Sequence, residues 1–181
     1  MDYYYDFTQS IEEYTRAFDE LAIEWQWQPV TLTDYPDVIE MIEASSKERL
    51  TIILNLCDGD EINGTPGISV LKLLHEKGLI YTGANELFYD ITTSKIPMKE
   101  AFDKAKVSTP PWMVIKEDNP PLKKIFNTLG SPLIVKPAVS GGSMGVGIKS
   151  VVHNEAALSQ QLQLLFDGYR GWNLTIGGVL A

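Results

Sequence analysis

The chain has 181 residues, of which 44% are hydrophobic and 22% charged, enough for one sizeable core or two small ones in a globular protein. A formal charge of −9, with basic residues scattered apart from Lys123 and Lys124, excludes nucleic acid and anionic membrane as natural partners. The single cysteine, Cys57, excludes an internal disulfide; with no export signal and no apolar run long enough for a bilayer, the expected compartment is the cytoplasm. The sequons at Asn63 and Asn173 carry no weight without an export signal.

Ile11, Tyr14, Phe18, Leu21 and Ala22 fall at helical spacing, which predicts an amphipathic helix over residues 8–23 with Thr8 as N-cap and Glu12 and Glu13 in its first turn. A short strand is expected over Trp27–Leu32. Pro36 then opens a second helix bearing Val38, Ile39, Met41 and Ile42. The continuous apolar run Leu50–Leu56 suits an interior parallel strand. Thr65 and Pro66 lead into a helix through Val70, Leu71, Leu73 and Leu74, Gly78 ends it, and Leu79–Thr82 reads as another strand. Strands and helices alternating with short joints predict a small open parallel α/β domain over residues 1–89.

From Leu87 to Ala105 a longer helical pattern contains Lys95 and Lys99, interrupted by Pro97, which suits a helix start or a kink. Beyond it come a strand at Trp112–Ile115, a polar proline-rich loop over residues 116–121, a helix over Pro120–Leu129, strands at Leu133–Lys136 and Val146–Val152, and a helix over Asn154–Phe166. These form a second, α+β unit over residues 90–181.

The stretch from Ser131 to Gly147 joins an apolar strand, a lysine and a glycine-rich loop. Glycines at 141, 142, 145 and 147 permit positive φ and leave backbone N–H groups accessible, Ser143 adds a hydroxyl and Lys136 a charge, a combination suited to phosphate. Lys136 precedes the glycines, unlike the lysine of a Walker loop, and no spaced dinucleotide fingerprint opens a helix. The residues alone leave open an ordinary hairpin whose glycines only supply turn geometry.

Three segments in order, Asn63-Gly64-Thr65-Pro66-Gly67, Leu79-Ile80-Tyr81-Thr82-Gly83 followed by Thr93-Ser94-Lys95, and Val135-Lys136-Pro137 through Gly145, resemble the ATP-grasp ligases, most of all the D-alanine:D-alanine ligases. The resemblance implies a substrate-side domain, then an ATP-grasp central domain whose loop covers the nucleotide, with ATP held against a C-terminal domain. That last domain is expected to be missing here. It implies ATP-dependent joining of a small carboxylate to an amine through an acylphosphate, with dimerisation through the N-terminal domain. Lys95 and Lys136 match the family lysines that contact ATP phosphates, and Gly141, Gly142, Ser143, Met144 and Gly145 match the loop over the triphosphate. Magnesium is implied as well, with ligands expected beyond Ala181; no catalytic residue and no metal ligand is assigned in this chain. The alternative from another class is a non-catalytic ATP-grasp-like binding or dimerisation module.

Two departures bear on substrate. Met1–Tyr5 stands where a first strand and glycine loop are expected, and Leu56-Cys57-Asp58-Gly59 replaces a histidine-glycine pair. Asp58, Asp60 and Glu61 read as a solvated acidic loop, Cys57 as a small buried apolar residue, and His75 and His153 as surface residues. Lys99 shares the helix of Lys95 without a place at phosphate, and Tyr3, Tyr4, Tyr5 and Phe7 with Trp25 and Trp27 form a candidate apolar interface.

Overall fold

The computed structural model describes residues 7–116 and 120–181. The chain divides into two compact units, Met1–Val30 and Thr31–Ala181. In the first, helix α1 (Thr8–Glu20) carries the expected amphipathic face, but Phe7 occupies the N-cap position and Glu12 and Glu13 lie beyond the first turn. The Ile11 N–H already bonds to Phe7 O at 2.8 Å, so the helix begins at Thr8 itself, the residue expected to cap it. It ends early because Ala22 turns to φ 52° and the Ile23 N–H bonds back to Phe18 O. No strand follows at Trp27. Phe7 packs on Trp27 and Phe18 on Trp25, with ring centroids 5.8 and 5.2 Å apart, so this segment is held by aromatic contacts with no strand partner. Tyr3, Tyr4 and Tyr5 of the expected aromatic interface lie outside the described residues.

The second unit begins with α2 (Tyr35–Ser46), which has Pro36 in its first turn and Asp34 at its N-cap position. Strand β1 (Ile52–Ile53), helix α3 (Ile68–Glu76) and strand β2 (Ile80–Tyr81) follow, and β1 pairs parallel with β2, Ile52 opposite Ile80 and Ile53 opposite Tyr81. Ile39, Val70, Leu74 and Leu79 form the core here, joined by Ile53 and Tyr81. A buried interior strand over Leu50–Leu56 is not what forms. Ile52, Leu54 and Leu56 are exposed along with Ile80, because the core with α2 and α3 lies on the Ile53 and Tyr81 side and the period-two pleat turns the other residues outward.

The predicted long helix is two helices, α4 (Glu86–Thr92) and α5 (Lys95–Lys104). In a continuous helix the Pro97 ring would collide with the carbonyl of Thr93, four residues back. The chain breaks at that point: Ser94 is extended and its hydroxyl caps the Ile96 N–H, which places Pro97 in the first turn of α5.

The rest of the unit comprises β3 (Val114–Ile115), α6 (Leu122–Leu129), β4 (Leu133–Ile134), β5 (Lys136–Pro137), β6 (Val151–Val152), α7 (Glu155–Phe166) and β7 (Val179–Leu180). Strands β3, β7 and β5 form one antiparallel sheet, and β4 pairs antiparallel with β6. The predicted strand over Leu133–Lys136 thus changes partners at Val135. That residue is fully buried, and its N–H bonds to Ser150 O at 2.7 Å. Pro137 has no N–H to give, and it sits on an edge strand where none is needed. The returning strand, expected over Val146–Val152, is confined to β6; a 3-10 turn occupies Ile148–Ser150. Helices α6 and α7 close the larger core around Ile125, Val135, Val152, Leu158, Leu162, Leu165 and Val179. Among the described residues no helix is long and apolar enough to cross a membrane.

The one-sided burial of β1 has a measurable consequence. Leu74→Ala, at 1% exposure, should lower unfolding free energy by about 2–5 kcal/mol, whereas Ile52→Thr, at 61% exposure, should change it by less than about 0.5 kcal/mol; urea titration of the two variants compares them.

Candidate functional site

Lys95 is the first residue of α5, where Ser94 caps the helix. Its backbone N–H bonds to Ala138 O at 2.9 Å, fixing the helix start against the residue after β5. The side chain runs the same way: Nζ donates to Ser140 Oγ at 2.8 Å and Ser140 O at 3.0 Å. Lys95 is half-buried, and its pKa is pushed below the usual 10.5, first by burial and then by the charge of Lys136. Both effects disfavour the ammonium form.

Lys136, on β5, is also half-buried. Among the described residues its side chain has no hydrogen-bond or ion-pair partner. Two cationic side chains therefore share one neighbourhood without a carboxylate between them.

The loop that follows starts at Ser140, the residue Lys95 holds. Gly142, Ser143 and Gly145 adopt positive φ of 53°, 63° and 71°, while Gly141 and Gly147 do not use that freedom. Left-handed backbone disfavours Ser143 by about 1–2 kcal/mol relative to the right-handed form. Two tight turns shape the segment, with Met144 N–H bonded to Gly141 O and Val146 N–H to Ser143 O, both at 3.0 Å. The N–H groups of Gly141, Gly142 and Ser143 have no acceptor among the described residues, and all three residues are exposed.

Gly145 is different, because it is buried. A Cβ there would lie 3.1 Å from Pro137 Cγ and 3.3 Å from both Leu165 Cδ2 and Leu174 Cδ1. Leu174 also accepts the Val139 N–H through its carbonyl, at 3.1 Å, so one residue supports the loop on both sides.

Lys99 is committed elsewhere, donating to Thr109 Oγ1 at 2.6 Å and Pro110 O at 3.1 Å, with the Trp112 ring 5.9 Å away. Its work is to pin the segment after α5.

In the loop before α3, expected to be solvated, Asp58 is exposed but Asp60 and Glu61 are half-buried and hydrogen-bonded. Glu61 accepts from the Ser69 N–H and hydroxyl at the start of α3, and Asp60 accepts from the backbone of Ile62 and Asn63 and from the Asn63 amide. Gly59 and Gly67 pack backbone on backbone; a Cβ on Gly67 would fall 2.0 Å from Gly59 O. The Tyr89 hydroxyl donates to Cys57 O at 2.9 Å and is held well above its ordinary pKa by burial and nearby acids. Cys57 is half-buried, with its thiol pKa pushed up by burial. His75 and His153 are exposed, as expected.

Asn63, a sequon residue that also opens the first of the three resembling segments, joins this loop to the other. Its side-chain amide donates to Asn173 O at 3.1 Å and accepts the Asn173 N–H at 2.8 Å. Asn173 directly precedes Leu174, so the pair links the Gly59–Gly67 segment to the support of the glycine loop. Nothing in the spacing of 110 residues signals this contact. Ser140, by contrast, lies within the motif and is placed by its neighbours.

No family model matches the chain. Over 102 residues it is 33% identical to a D-alanine–D-alanine ligase of Synechococcus sp., covering 56% of this chain and 30% of the relative. It therefore spans about a third of that relative's length. In fold, it resembles the D-alanine–D-alanine ligase of Bacillus anthracis complexed with ATP (TM-score 0.64, 24% identity, 98% of this chain and 52% of that one). It also resembles the biotin carboxylase domain dimer of the Hydrogenobacter thermophilus 2-oxoglutarate carboxylase in complex with MgADP, ADP and bicarbonate (TM-score 0.54, 22% identity, 78% and 30%). By fold and sequence the chain is related to the ATP-grasp ligases. Within that family the similarity is to D-alanine–D-alanine ligases, and it covers part of the chain.

Two outcomes follow from the geometry. Since the folded state lowers the Lys95 pKa, the unfolded chain retains that proton at pH values where the native chain has released it. Native stability relative to Lys95→Met should therefore rise as pH climbs from the depressed value towards 10.5, as read by denaturant unfolding across alkaline pH. Gly145→Ala should destabilise by about 1–3 kcal/mol, because it combines a left-handed backbone with a crowded Cβ site.

Proposed function

We propose that the chain is the ATP-binding part of an ATP-dependent carboxylate–amine ligase similar to the D-alanine–D-alanine ligases. The observation that carries this reading is the pair of half-buried ammonium groups, Lys95 and Lys136, lying without a carboxylate partner beside exposed loop N–H groups. Desolvated like charges are favourable only in the company of an anion, and a loop of free amides is shaped for one.

In this reading Lys95 and Lys136 neutralise the polyphosphate. Gly141, Gly142, Ser143 and Met144 cover it, and Gly145 anchors that cover by packing on Pro137, Leu165 and Leu174. ATP supplies the phosphoryl group. A substrate carboxylate oxygen attacks the γ-phosphorus as the bond to ADP breaks, and an amine then attacks the acyl carbon of the acylphosphate, expelling phosphate and losing a proton. Charge spreads over the transferring phosphoryl oxygens, so fixed cations and amides lower the barrier by meeting that charge without reorganising. Because Lys95 Nζ is held by Ser140, the cation and the first residue of the loop keep one geometry. Among the described residues no three His, Cys, Asp or Glu side chains gather as a metal site, and no step is assigned to magnesium here.

ATP should raise the melting temperature of the chain, and at a hundred times its dissociation constant the stabilisation is about 2.7 kcal/mol. Lys136→Ala should remove the shift while leaving the ligand-free melting temperature within a few degrees. An unchanged melting temperature of the unaltered chain at millimolar ATP would overturn the reading.

A further inference from the structure

Ser150 is 1% exposed and Gln161 5%, and they are fully enclosed polar side chains among apolar neighbours. Burying such groups is unfavourable unless they are bonded, and each of their bonds leads towards the glycine loop or its lysine. The Ser150 hydroxyl accepts the Gly147 N–H at 3.0 Å and the Gln161 amide at 3.3 Å. The Ser150 N–H bonds to Gly147 O at 2.9 Å, so residues 147 and 150 grip each other twice. On its far side Ser150 O accepts the N–H of Val135, the residue before Lys136. One buried serine therefore ties the downstream root of the loop to the lysine-bearing strand, and Gln161 ties that serine to α7.

We propose that Ser150 and Gln161 are positioning residues for the phosphate loop, a latch that holds its downstream root in register with Lys136. The proposal rests on the anion-binding reading above. Without the latch, Gly147 and the 3-10 turn after it are free to straighten into the longer hairpin that the alternation of Val146–Val152 favours, carrying the loop away from the two lysines.

The test uses the full chain with Ser150→Ala, Gln161→Met and the double variant. Gln161→Met keeps the side-chain shape and guards against failure to fold. Amide hydrogen exchange without ligand reads the latch directly: exchange at Val146, Gly147 and Val135 should rise at least tenfold in both single variants, while amides within α2 and α3 stay unchanged. Titration with tripolyphosphate, by calorimetry, reads its use. Affinity should fall about tenfold in each single variant and little further in the double, since both act through one contact. A uniform rise in exchange across the unit would indicate only a structural role and overturn the proposal, as would unchanged exchange and affinity in both single variants. If the unaltered chain binds no tripolyphosphate while the local exchange pattern appears, the latch stands as a loop anchor, and the anion-binding reading fails separately.

Discussion

The arrangement depends on an unfavourable contact, the desolvation of Lys95 beside the charge of Lys136. Two ammonium groups in partly dry surroundings repel each other, and burial removes the water that would otherwise screen them. Carboxylates outnumber cations in this chain, 24 against 15, yet no acidic side chain contributes to lowering that repulsion at Lys95. In the loop ahead of α3, Asp60 closes its own turn and Glu61 bonds to the start of α3.

Such a site needs a rigid frame, and the frame is largely backbone. Lys95 and Ala138 are joined main chain to main chain, Val139 to Leu174, and Val135 to Ser150. The loop between them has few internal bonds but fixed ends, with Gly145 wedged on Leu174 and Leu165 as a third support. Asn63 reaches the same Asn173–Leu174 support from the loop ahead of α3, so two glycine-rich segments from different parts of the chain share one anchor.

Much of this was legible from residue types. Pro97 and Ser94 mark a helix start because proline cannot donate and serine caps, although the pattern there read as one helix until the position of Thr93 behind Pro97 is considered. The order of Lys136 and the glycines suits a phosphate-type loop, and equally a hairpin whose glycines supply turn geometry. The apolar run Leu50–Leu56 misled for a definable reason: five hydrophobic residues in seven report that burial is available, not that both faces obtain it. The expected strand over Val146–Val152 failed likewise, because alternation is a local preference and the two bonds between Gly147 and Ser150 override it.

The sequence alone determined which residues are candidates for holding an anion: a lysine ahead of glycines able to turn, and a family-like order across three segments. Those properties belong to single residues and their neighbours. Tertiary structure decided which of them meet. Lys95 and Ser140 are separated by 45 residues, and Asn63 and Asn173 by 110. It also decided that Lys99 is tied off, that Gly145 is support, and that β1 is covered on one face. Contacts at such separations depend on how helices and sheets pack, a global balance of buried area and satisfied hydrogen bonds that no local pattern encodes.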